Sequence, residues 1–348
     1  MEINRVSLRE ALVKCLPGVD LGRTLLEGAD TFIFKGGKIF TYNDNISVSV
    51  PFECGIEGAV KAKEFYSLIN KLKNDTIEFK EKEGAWKIIA GNVEVDFTLV
   101  TSPFVENIDE MGLDEIKWKK LPVDFMTGVR ACQIAGNTST LSGIYVKDSV
   151  IASSDEVRIN WFSLGEKMDT FWLTDIAASE LCKLGDVNSY SVGAAWVHFK
   201  TIDGVIFSAK RLNDANFPFA KLQEAVKMHE RVDEKVYSLP QAVIDAIDRA
   251  SVMSIDVDIY SVVRLTIDAK HIEVYSERAA GKYRERVPFE ESYDTDLVVL
   301  YVDTAMVEFG LKNFAKFYIK NLQQNWRSVV FQGENVLHII STLQVEGE

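Results

Sequence analysis

The sequence predicts an α+β protein in which one unit, two helices alternating with antiparallel strands, occurs three times. Three observations carry this. A common order of elements recurs at roughly 115–120 residues. Amphipathic segments of matching register open each recurrence. Runs of alternating apolar and polar residues, the period of a half-buried strand, separate the helices.

The first unit opens with a helix over about Ser7 to Leu16, with Leu8, Ala11, Leu12 and Cys15 on one face. That i, i+3, i+4, i+7 spacing belongs to a helix with one buried side. Strands follow from Thr31 to Phe52, a second helix from Ala62 to Leu72, and strands from Thr76 to Val100. The second unit repeats the order. A helix begins at Val123, with Phe125, Val129 and Cys132 facing in. Strands run from Leu141 to Leu164, and a second helix from Thr174 to Leu184 precedes the closing strands. Thr174 is placed to cap that helix, because its hydroxyl can accept from a first-turn N–H. In the third unit a helix begins at Leu239 with Pro240 in its first turn, where a missing N–H costs nothing. Strands, the helix Val302 to Phe314 and further strands complete it. Leu8, Phe125 and Val243 correspond across the three first helices, as do Leu12, Val129 and Ile247, and Cys15, Cys132 and Ala250. Polar linkers, Ser102 to Lys117 and Lys227 to Lys235, suggest boundaries at residues 1–112, 113–230 and 231–348.

Composition narrows the function. Hydrophobic residues make up 47% and charged residues 26%, the balance of a soluble globular chain. No run approaches the length of a membrane span, and the N-terminal segment has no apolar stretch of signal-peptide type. A cytoplasmic protein is expected. The net charge of −13 argues against a basic nucleic-acid binder of ordinary type. It leaves room for a protein that surrounds DNA, acidic outside and basic only within. Cys15, Cys54, Cys132 and Cys182 form no CxxC and are expected to be free thiols. The four histidines are scattered, so neither a metal site nor a cofactor is expected. Nucleotide-binding glycine motifs, HExxH and GxSxG are absent, and no catalytic residues are assigned. The Asn43–Asn45 and Ser153–Glu156 segments read as turns, where Asn and Asp satisfy the backbone.

Four short segments, in order along the chain, carry a resemblance: GRTLL from Gly22, LSGIYV from Leu141, VIASSDEVRI from Val150 and FSAKRLNDANFP from Phe207. Together with the unit order and length they resemble the bacterial DNA polymerase III beta subunit, the sliding clamp, across essentially the whole chain. The resemblance implies three DNA-clamp domains per chain, closing into a ring as a head-to-tail homodimer around double-stranded DNA. It implies a processivity factor, not an enzyme, with a DNA polymerase and a clamp loader as partners. Residue by residue, it implies DNA contact at Arg23, Lys14, Lys71, Lys73, Arg130 and Arg249. It implies a partner-peptide pocket of Leu141, Ser154, Val157, Arg158, Ile159, Pro218, Leu222, Ile339 and Ile340. It implies a dimer interface with Phe97 and Leu99 on one side and Val252 and Met253 on the other.

Two departures stand out. Glu156-Val157 replaces the family's Gly-His pair in the turn, and the tail from Thr342 is TLQVEGE. A divergent, phage-type origin would fit. Two rivals remain on the sequence alone. One is a carboxylate-based hydrolase, which the missing motifs and the repetition oppose. The other is a clamp-fold interaction protein that does not load on DNA, which the acidic TDIAASEL and VIDAIDRA helices keep open.

Overall fold

A computed structural model of the chain describes residues 1–20, 28–101, 116–133, 141, 143–238, 240–257, 260–289, 297–314, 316–321 and 327–343. The chain divides into two compact units, one of Met1–Gln133, Gly143–Ser149 and Gly165–Asp214, the other built mainly from Val150–Leu164 and Ala215–Glu348.

In the first unit α1 spans Arg5–Cys15, two residues earlier than its periodicity predicts. Asn4 accounts for the shift, since its Oδ1 accepts from Ser7 N at 2.9 Å and satisfies an otherwise orphaned first-turn donor. The helix α2 spans Ala62–Lys71, α3 Phe125–Cys132 and α4 Asp175–Lys183. Thr174 caps α4 as expected, accepting from Ala177 N at 3.2 Å.

An eight-stranded antiparallel sheet supports these helices. Its order is Gly58–Lys61, Thr31–Lys35, Lys38–Tyr42, Ile46–Pro51, Ile206–Lys210, Trp196–Thr201, Val187–Val192 and Lys119–Lys120. The strand Ile206–Lys210, from the FSAKR motif, pairs with Ile46–Pro51 in the register Phe207↔Val48. Sequence-distant halves of the unit thereby share one sheet. A second sheet runs Glu2–Asn4, Thr76–Lys82, Ala85–Ala90 and Val93–Thr98. Trp86, fully buried, takes edge-on contacts from Phe34 and Phe79 and a tilted one from Phe65, which fixes the packing of α2 on this sheet.

In the second unit α5 spans Phe219–Met228, α6 Gln241–Ser251 and α7 Thr304–Asn313. The helix α5 falls partly within a segment read from sequence as a polar linker. Leu222 and Val226, four residues apart, bury its inner side. Asp303 caps α7 by accepting from Met306 N at 3.0 Å. One sheet orders Val236–Ser238, Lys316–Asn321, Arg327–Gln332, Val336–Ser341, Arg158–Leu173 and Ile144–Ser154. The strand Arg158–Leu173 extends nine residues beyond the Leu164 limit read from sequence. The other sheet orders Ile255–Val257, Tyr260–Ile267, His271–Arg278 and Gly281–Pro288, with Val298–Asp303 also pairing to Tyr260–Ile267.

The three-fold register holds in the core. Leu8, Leu12 and Cys15 on α1, Phe125, Val129 and Cys132 on α3, and Val243, Ile247 and Ala250 on α6 are each 0% exposed. The helices touch pairwise: α1 with α2, α3 with α4, and α6 with α7. A small residue at the third position lets each first helix approach its neighbours closely.

Candidate peptide pocket and nucleic-acid interface

The pocket candidates gather around one turn in the second unit. The strand Ile144–Ser154 ends at Asp155, whose carboxylate organises the reversal. Its Oδ1 accepts from Arg158 N at 2.8 Å and its Oδ2 from Arg158 Nε at 2.6 Å. Both side chains of this ion pair are largely buried, 7% and 11% exposed. Ser154 Oγ donates to Arg158 O at 2.9 Å and accepts from Glu156 N at 3.3 Å. Glu156 takes φ +75°, the left-handed region in which glycine is least strained. Glu156 therefore holds, at a strain cost, a conformation that glycine would adopt freely.

Beyond the turn the strand pairs with Val336–Ser341, Arg158 opposite Ile340 and Ile159 opposite Ile339. Opposed residues share a face and neighbours alternate, so the two isoleucines point to opposite sides. Ile340 enters the core of the second unit, and Val157 packs against that core. Ile159 and Ile339 share the other face with Trp161, which stacks on Phe219 of α5 at 5.3 Å and 24°. Pro218 and the buried Leu222 belong to the same stretch of chain. Trp161 and Phe219 thus lie beside Ile159 and Ile339 on this face, where Ile339 is 2% and Trp161 8% exposed while Ile159 and Phe219 are half-buried. Sequence reading missed Trp161 and Phe219, although Trp161 continues the alternation that begins at Ile159. Leu141 is half-buried and lies outside any element.

Below this strand pair, His338 Nδ1 hydrogen-bonds Asn160 Oδ1, and the ring lies parallel to Phe314 at 6.2 Å. Burial drives its pKa down to about 4, so the imidazole is neutral at neutral pH.

The DNA candidates are dispersed over the helix ends. Lys71 closes α2, Lys73 follows it, and Arg130 lies in the last turn of α3; all three are exposed. Lys14 in the last turn of α1 is bound to Asp203 at 2.6 Å, which holds the Asp203 carboxyl below its usual range. Arg249 on α6 is engaged by Glu285 at 2.9 Å and by the Tyr283 hydroxyl at 3.2 Å. Arg23 lies outside the described residues.

The interface candidates separate by burial. Phe97 sits on Val93–Thr98, the last strand of its sheet, with its ring edge-on to Phe65 at 5.4 Å. Leu99 is half-buried. Val252, just past α6, is 68% exposed and Met253 half-buried. Among the described residues no cluster of His, Cys, Asp and Glu could hold a metal ion, and no helix is long and apolar enough to cross a membrane.

No family model and no curated protein matches the sequence. Solved structures do match. The DNA polymerase sliding clamp of Bacillus subtilis is 18% identical with a TM-score of 0.78, covering 99% of this chain and 98% of that one. The DNA polymerase III subunit beta of Bartonella birtlesii, bound to griselimycin, is 16% identical with a TM-score of 0.83, covering 99% of both. The Helicobacter pylori beta clamp bound to a DNA ligase peptide is 15% identical with a TM-score of 0.76, again covering 99% of both. From end to end, the chain has the fold of the bacterial DNA polymerase III beta sliding clamps.

Proposed function

We propose that this protein is a DNA sliding clamp, a processivity factor that catalyses no reaction. In this reading it is a cytoplasmic protein of three clamp domains, residues 1–112, 113–230 and 231–348. Two copies close head to tail into a ring around duplex DNA. Phe97 and Leu99 of one copy meet Val252 and Met253 of the other, and joining edge strands removes exposed backbone donors and acceptors.

The observation that carries the reading is fold likeness to sliding clamps over 99% of the chain. Topology supplies residence on DNA, so phosphate contact without base readout is sufficient and permits sliding. The turn at Ser154–Arg158 and the apolar face of Ile159 and Ile339 would receive an extended apolar peptide from a polymerase, a clamp loader or another partner. One of the similar clamps holds a DNA ligase peptide. Glu156 in place of glycine adds a carboxylate at the turn and favours partner peptides with a basic residue near their apolar anchor.

Light scattering combined with retention on nicked circular and linearised DNA, with a cognate loader, tests this. A mass of twice 39.2 kDa, held on circles and lost from linear ends, is expected. A monomer indifferent to DNA topology would leave the second reading, a clamp-fold interaction protein, which the carboxylates Asp175, Glu180, Asp245 and Asp248 on α4 and α6 favour.

A further inference from the structure

The cations on the paired helices are held in two different ways. On α4, α6 and α7 they are neutralised locally. Lys183 on α4 binds Glu180 at 2.7 Å, Arg249 on α6 binds Glu285 at 2.9 Å, and Lys312 on α7 binds Glu308. Arg130, the single lysine or arginine of α3, is exposed and stands alone, without a carboxylate partner among the described residues. The first helix pair is different, apart from Lys14 on α1, which is bound to Asp203 at 2.6 Å. Arg5 and Arg9 on α1, Lys63 and Lys71 on α2 and Lys73 just beyond have no carboxylate partner among the described residues, and all but the half-buried Arg5 are exposed.

Their placement is organised. Arg9 Nε donates to Asn70 Oδ1 at 2.6 Å and Arg5 Nε to Asn74 O at 2.8 Å. These two bonds set α1 and α2 side by side and antiparallel. They also fix each guanidinium by Nε, while its terminal nitrogens, the pair that grips a phosphate bidentately, carry no ion pair. On α2, Lys63, Asn70 and Lys71 lie on the exposed side, opposite the buried Ala62, Phe65 and Ile69. The acidic residues of these helices are Glu10 and Glu64, and Glu64 sits in the first turn of α2, where it complements the helix N-terminus.

A cation bound to a neighbouring carboxylate brings that negative charge to any phosphate it approaches, and the two nearly cancel beyond the pair. An unpaired cation keeps its field. We propose that the DNA backbone is gripped chiefly by one basic ridge on α1 and α2, formed by Arg5, Arg9, Lys63, Lys71 and Lys73. The inference rests on the clamp reading and makes the grip one-sided within each chain. The ligand is duplex phosphate, without regard to base sequence.

The test is the salt dependence of binding to a short labelled duplex, read by fluorescence anisotropy. The ridge variant carries Arg9→Gln, Lys63→Gln, Lys71→Gln and Lys73→Gln. The comparison variant carries Lys183→Gln, Arg249→Gln and Lys312→Gln. Each lost phosphate contact lowers the log–log slope by about 0.9, so the ridge variant loses about 3 to 4 of slope and the comparison variant well under 1. A charge-preserving variant, Lys63→Arg, Lys71→Arg and Lys73→Arg, keeps the parent slope. Equal losses in the ridge and comparison variants, an unchanged slope in the ridge variant, or a slope lost in the charge-preserving one would overturn the assignment. Retention of the unaltered protein on nicked circles is measured alongside. Circles retained with the wrong slopes sink the ridge alone, whereas no retention sinks the clamp reading and the ridge with it.

Discussion

The helix pairs α1/α2 and α6/α7 are built alike inside and differently outside. Leu8, Leu12 and Cys15 on α1 and Val243, Ile247 and Ala250 on α6 occupy the same register and are all 0% exposed. Outside, the first pair presents Arg9, Lys63 and Lys71 without carboxylate partners among the described residues, beside Lys14 tied to Asp203, and the other pair presents Arg249 and Lys312 tied to Glu285 and Glu308. Repetition has preserved the positions that make a helix pack on a sheet. It has left the exposed positions free to diverge, and the proposed basic ridge lies among them.

Core truncation should give the largest effect, and the same one in both regions. Leu12→Ala and Ile247→Ala should each cost about 2–5 kcal/mol in denaturant unfolding, because each leaves a cavity in a filled core. A cost near zero in one of them would break the internal equivalence. Next in size are the caps. Asp303 accepts from Met306 N and also from Ser261 N at 3.0 Å, and is 7% exposed, whereas Asn4 caps α1 at an exposed site. Asp303→Ala should therefore cost more than Asn4→Ala, about 2 against about 1 kcal/mol in the same measurement.

Glu156→Gly should raise stability by up to about 1 kcal/mol by releasing the left-handed strain of the turn. A loss of stability on calorimetric melting would show that the Glu156 side chain makes a compensating contact. Surface ion pairing should matter least. Glu285→Gln should leave the melting midpoint nearly unchanged, since exposed pairs contribute little, but should free Arg249 to meet phosphate and steepen the salt slope of DNA binding. An unaltered slope would mean that Arg249 faces away from the DNA.

Acid should act on the two units through different histidines. Burial lowers the pKa of both His198 and His338 to about 4. For a histidine depressed in the folded state, the unfolded chain binds the extra proton between about 6.5 and 4. Its contribution is thus complete above about pH 6.5 and declines as pH falls towards 4, by up to about 1.4 kcal/mol per pH unit for each residue. Replacing His338 and Asn160 together by leucines should flatten that part of the stability profile. A profile unchanged between pH 6.5 and 4 would assign the acid sensitivity elsewhere.

The helix periodicities were readable because they are local. The spacing of Leu8, Leu12 and Cys15 needs no knowledge of the rest of the chain. The Thr174 cap was readable for the same reason. The helix α5 was not, because its end at Lys227 and Met228 falls in the polar run Lys227 to Lys235 that suggests a linker, and the packing of Leu222 and Val226 marks its inner side. The turn at Asp155 was legible as a turn. That Ile340 enters the core while Ile339 shares the other face with Ile159 and Trp161 depends on which strand the chain returns to pair with.

The chain's residues alone therefore determined the α+β class, the three-fold repetition and the buried stripe of each first helix, because these follow from periods of 3.6 and 2 residues within short windows. Only the tertiary structure decided that Phe207 pairs across from Val48, that Lys14 meets Asp203 from 189 residues away, and that Arg249 is neutralised by Glu285 while Arg9 is oriented by Asn70. The physical reason is reach: a periodic pattern shows which side of an element is buried, but a charge is cancelled only by a partner that the folded chain brings within a few ångströms.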